Sequence, residues 1–126
     1  MRRIYCLYRG IDGADIQRQQ EECRKYANEH GWFIFKEFCE FVDNARDNTD
    51  ALIDLSNAAQ KSKFDILLVA EYQNIGRIEE ETPIAVFCLE KNGIEVISAK
   101  SESKDFIEQG RLMYENYEIG TSLTVL

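Results

Sequence analysis

The chain has 126 residues, a net charge of −8, and 44% hydrophobic against 30% charged residues. This is the make-up of one folded domain and not of a disordered or fibrous chain. No apolar run approaches the roughly 20 residues of a membrane span, and Arg2 and Arg3 precede no long apolar stretch, so no signal peptide is expected and the chain is read as cytoplasmic.

The first apolar run, Arg3-Ile4-Tyr5-Cys6-Leu7-Tyr8, is short, rich in β-formers and stopped by Gly10 and Gly13, which predicts a buried strand. Asp15 is placed to cap a helix whose apolar face is Ile16, Cys23 and Ala27, with Tyr26 beside them. Gly31 stands as the residue after the cap at the far end, with His30 beside it. A second strand is expected over residues 32–42 and a polar loop over 44–48. Asp47 or Asn48 caps the next helix, with Leu52, Leu55 and Ala59 inward and Lys61 and Lys63 near its C-terminus, where cations suit the dipole.

Residues 65–70, Asp65-Ile66-Leu67-Leu68-Val69-Ala70, form the most continuous β-like run. Apolar on both faces, it reads as a central strand of a parallel sheet. Thr82 and Pro83 look like the cap and first residue of a third helix, with Ile84, Phe87 and Cys88 inward and Gly93 as its stop. A fourth strand follows over 94–98, and a last helix over about 106–117. Strands alternating with helices predict a three-layer α/β fold, with a mostly parallel four-stranded central sheet and helices on both faces.

Cysteines 6, 23, 39 and 88 form no C-x2-C pair and the only histidine is His30. Neither a zinc site nor a disulfide is expected, and no cofactor. The acidic balance opposes a phosphate backbone, and the cations do not cluster in sequence, so DNA binding by this chain alone should be weak or absent. The first glycine loop, Gly10 to Gly13, has neither dinucleotide nor P-loop spacing. Asp12 and Lys100 match a receiver domain only loosely.

A different family fits better. Ile16-Gln17-Arg18-Gln19-Gln20-Glu21-Glu22-Cys23-Arg24-Lys25-Tyr26-Ala27 is similar to the S-L-x-x-Q-x-x-x-C-x-x-Y-A helix of serine recombinases of the resolvase/invertase type. Lys63-Phe64-Asp65 resembles that family's K-F-D. Leu89 through Gly93 to Ser98 resembles its L-x-x-x-G-V-x-x-x-S, and Gly110-Arg111-Leu112-Met113 its G-[RK]-L-M. The resemblance implies a resolvase-like catalytic domain over residues 1–104, a truncated helix and tail over 105–126, and a role in site-specific DNA recombination. Thirteen residues follow Met113, too few for the family's helix-turn-helix reader.

The departures fall on the chemistry. The family attacks a DNA phosphodiester with a serine hydroxyl, which needs that nucleophile and cations around the phosphorus. Aligned from Tyr5, the arginine of its Y-x-R-V-S motif becomes Leu7 and the serine becomes Arg9; no serine precedes Ser56. Its L-D-R-L-x-R motif reads Tyr72-Gln73-Asn74-Ile75-Gly76-Arg77, so the acid becomes Gln73, the first arginine Asn74, and only Arg77 remains. The arginine before the second helix falls near Thr49 and Asp50. Gln19 matches a family glutamine.

The resemblance therefore implies a homologue with no catalytic set intact, acting if at all by association with itself or with an intact recombinase. A strand-exchange domain working in a larger assembly is the alternative, and a receiver-like ligand-binding domain a third. By residue type, Arg9 is expected as an exposed strand-end cation paired with Asp12, and Arg77 as a surface partner of Glu79, Glu80 or Glu81. Tyr8, on the opposite face from Arg9, and Cys6 are expected in the core. Phe106, Leu112 and Met113 are expected to expose apolar surface.

Overall fold

A computed structural model describes residues 2–42, 50–76 and 81–125. Strands β1 (Ile4–Gly10), β2 (Ile34–Phe41), β3 (Ile66–Val69) and β4 (Glu95–Ser98) alternate with helices α1 (Gly13–Glu29), α2 (Asp50–Gln60), α3 (Glu81–Lys91) and α4 (Ile107–Val125). A 3-10 turn, Tyr72–Asn74, follows β3. The sheet order is β2-β1-β3-β4 and every pairing is parallel. β3 is interior and buried throughout, as its two-faced apolar run predicts.

Alternation sorts β1 into two cores. Ile4, Cys6 and Tyr8 join Ile66 and Leu68 of β3 under Ile16, Cys23 and Ala27 of α1. On the other face Leu7, Leu67, Val69 and Val96 meet Ala51, Leu55 and Ala59 of α2 and Val86 and Leu89 of α3. These two cores make the three layers.

Three helices hand the chain to the next strand in the same way. After α1, Trp32 N–H donates to Ala27 O and Gly31 N–H to Asn28 O. After α2, Lys63 donates to Ala58 and Ser62 to Ala59; after α3, Ile94 donates to Leu89 and Gly93 to Glu90. These are Schellman endings, which place the residue after the cap at positive φ. Gly31 and Gly93 meet this without strain at φ 68° and 86°, whereas Ser62 adopts φ 55°.

Several local expectations are corrected. Asp12, not Asp15, caps α1: its carboxylate accepts the Asp15 N–H at 2.8 Å. The helix starts earlier because Gly13 and Ala14 join its first turn, which leaves Asp15 inside that turn. β2 begins at Ile34, since Trp32 is still held by the α1 ending. The expected caps Asp47 and Asn48 lie outside the described residues.

Thr82 and Pro83 lie within the first turn of α3, where a proline is tolerated. The buried residues of α3 are Thr82, Pro83, Val86 and Leu89, whereas Ile84, Phe87 and Cys88 are only half-buried. The reason is that α3 serves two neighbours: Val86 and Leu89 face the sheet core, while Phe87 packs on Tyr114 of α4, ring centres 5.5 Å apart.

α4 runs to Val125 rather than stopping near Tyr117. Extending a formed helix adds one hydrogen bond per residue fixed, so the weak formers past residue 117 are carried along. Phe106 is half-buried and packs edge-on against Tyr72, with centroids 5.3 Å apart, and Met113 is half-buried too. Of the three expected exposed residues only Leu112 is open, at 47%.

Candidate functional site at the carboxyl ends of the strands

In a sheet ordered 2-1-3-4 the chain direction across the sheet reverses between β1 and β3. The crevice beyond the carboxyl ends of those two strands is where such folds bind ligands. Arg9, at the end of β1, and the turn Tyr72–Asn74, after β3, flank it.

Arg9 is not an exposed cation paired with Asp12. It is 5% exposed, its Nε donates to Glu40 Oε1 at 2.9 Å, and an Nη donates to the carbonyl of Ile75. Glu40 is its direct partner in the β1–β2 register. The other oxygen of Glu40 accepts the Ala51 N–H at 2.9 Å, in the first turn of α2. One carboxylate thus answers both the guanidinium and an unpaired helix-end donor. The residue faces inward because it lies on the Leu7 face of β1, roofed by α2 and by the turn after β3.

Gln19, fully buried on α1, completes this inner cluster. Its Oε1 accepts the Arg9 N–H at 3.0 Å and its Nε2 donates to the Arg9 carbonyl at 2.6 Å. A side-chain amide therefore stands in for a neighbouring strand at the end of β1. Leu7 is fully buried in the hydrophobic core.

Gln73 and Asn74 belong to a second, outer cluster. The Gln73 amide donates to Glu71, and Asn74 Oδ1 accepts the Glu71 N–H at 3.0 Å. Glu71 also receives the Lys100 ammonium and, at 3.5 Å, Arg18. The Lys100 contact, helped by the Gln73 amide, holds the Glu71 carboxyl below the usual carboxylate range. Beside it, Glu102 accepts from Tyr72 N–H at 2.8 Å and from the Ser98 hydroxyl at 2.7 Å. Ser98 is 2% exposed, so that hydroxyl is a structural donor. Arg77 and its suggested partners Glu79 and Glu80 lie outside the described residues.

On the opposite sheet face Tyr8 is fully buried, as its strand position predicts, and its hydroxyl donates to Glu37 at 2.6 Å. Burial pushes its pKa far up, which makes it a poor nucleophile. Cys6 is likewise packed in that core.

Of the six family positions, then, Leu7, Arg9 and Gln19 share the inner end of β1 while Gln73 and Asn74 face the outer cluster. Glu40 and Glu71 organise the two clusters and belong to no motif. Their signal in the sequence is an acid set among apolar residues, Phe38-Cys39-Glu40-Phe41, and an acid directly after the run ending Val69-Ala70. Among the described residues no three His, Cys, Asp or Glu side chains converge to hold a metal ion.

An all-parallel, three-layer α/β domain with polar groups gathered at its strand switch point is the class this architecture defines. The family model described as Resolvase, N terminal domain matches residues 9–120, and the chain belongs to that family. No curated protein matches the sequence significantly.

Among solved structures, the N-terminal catalytic domain of TP901-1 integrase is 22% identical, with a TM-score of 0.70 over 96% of this chain and 98% of that one. A resolvase family site-specific recombinase from Streptococcus pneumoniae is 15% identical, with a TM-score of 0.72 over 99% and 96%. The C-terminal catalytic domain of ISC1926 TnpA, an IS607-like serine recombinase, is 15% identical, with a TM-score of 0.64 over 85% of this chain and 76% of that one. At such identities the likeness is one of fold. No described helix is long and apolar enough to cross a membrane.

Proposed function

We propose that this member of the resolvase family has lost strand-cleaving chemistry and acts through protein association, with a second copy or with an intact recombinase. The observation that carries the reading is Arg9. Aligned with the family's serine, it is a buried guanidinium engaged by Glu40 and Ile75. A guanidinium stays protonated and cannot attack phosphorus. Leu7, Gln73 and Asn74, in place of two arginines and an acid, bring no cation to a transferring phosphoryl group. Losing one such charge-stabilising donor typically costs ~10²–10³ in rate.

The test incubates the chain with supercoiled plasmid, denatures it and looks for protein-linked ends. Neither nicking nor a covalent adduct is expected. An adduct that disappears when one named residue is replaced overturns the reading in favour of a working recombinase domain. Association is read separately, by sedimentation across concentration alone and mixed with an intact family member. A strictly monomeric profile in both settings removes that half of the proposal.

A further inference from the structure

At the other end of the sheet from Arg9, a cavity of about 500 Å³ lies between β2, α2 and the turn into β3. Its lining includes Lys36, Lys61 and Lys63. Among the described residues none of these three has a carboxylate within 4.0 Å, whereas Arg3, Arg9, Arg18, Arg24, Lys100 and Lys104 each hold one. In a chain with a net charge of −8, three ammonium groups with no carboxylate partner among the described residues gather at one cavity.

The position follows from sequence and fold. Lys36 is the register partner of Tyr5 across β1 and β2. Asp54, Asn57 and Ala58 recur at helical spacing along one side of α2, Lys61 follows directly after its end, and all four line the cavity. The Schellman ending at Ser62 then places Lys63 against the same space. Tyr5, stacked on Phe64 at 4.3 Å, and Phe38, under the Lys36 ammonium at 4.8 Å, supply apolar wall.

We infer that this cavity binds a small phosphorylated ligand of the phosphomonoester class, such as a nucleoside or sugar phosphate. Among the described lining residues, three ammonium groups against the carboxylate of Asp54 leave two positive charges. A phosphomonoester, with its second pKa near ~6, is largely a dianion at neutral pH and matches them. Lysines bind such a group as point charges from several directions. Asp54 and Asn57 offer acceptors for ligand hydroxyls, and the aromatic wall offers contact for a ring. The site lies about 13 Å from Arg9 along β1, four residues at ~3.3 Å each. It stands independently of the proposed loss of cleavage chemistry.

The test titrates the full chain at low ionic strength with adenosine 5′-monophosphate, inorganic phosphate, adenosine and a short DNA duplex, read by amide chemical shifts. Adenosine monophosphate is expected to bind at about 1 mM or tighter. Shifts should centre on Tyr5, Lys36 and residues 57–63, and adenosine should give none. Inorganic phosphate should bind at the same place more weakly, because it lacks the ring contact.

Lys61→Gln combined with Lys63→Gln should weaken binding roughly tenfold, Lys36→Gln should weaken it too, and Lys25→Gln should leave it unchanged. All these lysines are exposed, so the variants keep the fold. Binding of adenosine equal to that of its phosphate, shifts centred elsewhere, affinity untouched in the double variant, or binding of the duplex alone each overturn the assignment.

Discussion

Arg9 and Glu40 sit opposite one another in the β1–β2 register, with Nε and Oε1 2.9 Å apart and both residues more than nine-tenths buried. A charge pair this deep has given up its water, so its value lies in completeness: removing one member leaves the other charged and alone. Arg9→Met is therefore expected to destabilise by about 3–5 kcal/mol in urea unfolding. Adding Glu40→Gln should restore most of the loss, because glutamine keeps an acceptor for Ala51 N–H. A double variant as unstable as the sum of the singles would show that the two residues act independently.

Leu68, fully buried in β3 between β1 and β4, is the cleanest test of the central strand. Leu68→Ala should cost about 2–5 kcal/mol as a core truncation. A loss well under 1 kcal/mol would contradict its place in the core under α1.

The acids that bind cations set the pH response. The Glu71 carboxyl is held low chiefly by Lys100, and that of Glu37 chiefly by Arg24 and then by the Tyr8 hydroxyl. A pKa depressed on folding gives stability that is present above the unfolded value, about 4.3, and lost as pH falls through the folded value. The urea midpoint should drop as the medium is acidified below about pH 5. Glu71→Gln and Glu37→Gln should each make that drop shallower. Slopes unchanged in both variants would place the acid sensitivity elsewhere.

The alternation of strands and helices along the chain was legible because apolar runs and glycine stops are local. Asp65 to Ala70 announced an interior strand, and Gly31 and Gly93 marked helix ends that need positive φ. The inner cluster was not legible. Arg9 reads as a surface cation unless one knows that β2 brings Glu40 alongside, a contact between residues 31 apart in sequence. α3 misled for a related reason. A helix covered on one side by the sheet and on another by α4 has no single apolar stripe, so spacing picked out Phe87, which serves Tyr114, as a core residue. Gln19 was singled out by resemblance alone; its task, bonding both backbone groups of Arg9, emerges only once α1 is laid across β1.

Gly110 opens the stretch that resembles the family's G-[RK]-L-M, and the packing of α4 on α3 gives a physical reason for it. A Cβ at this position would lie 2.1 Å from the Pro83 carbonyl oxygen and 2.5 Å from its carbon. Both are backbone atoms of α3, so neither can turn aside as a side chain would. Gly110→Ala sets two effects against each other. Within a helix, alanine is favoured over glycine by about 1 kcal/mol. Forcing a methyl into a closed contact typically costs about 1–3 kcal/mol, and here the obstacle is main chain. The clash should win: the variant should unfold at lower urea, with α4 displaced from the Phe87–Tyr114 contact and the Lys91–Tyr114 hydrogen bond of 2.8 Å. Gly93→Ala is not a fair comparison, since its positive φ adds strain, whereas Gly13→Ala has open space within 4 Å and should be neutral or mildly stabilising. If Gly110→Ala instead gained stability to the same degree as Gly13→Ala, with the Tyr114 environment unchanged, then α4 does not approach α3 this closely.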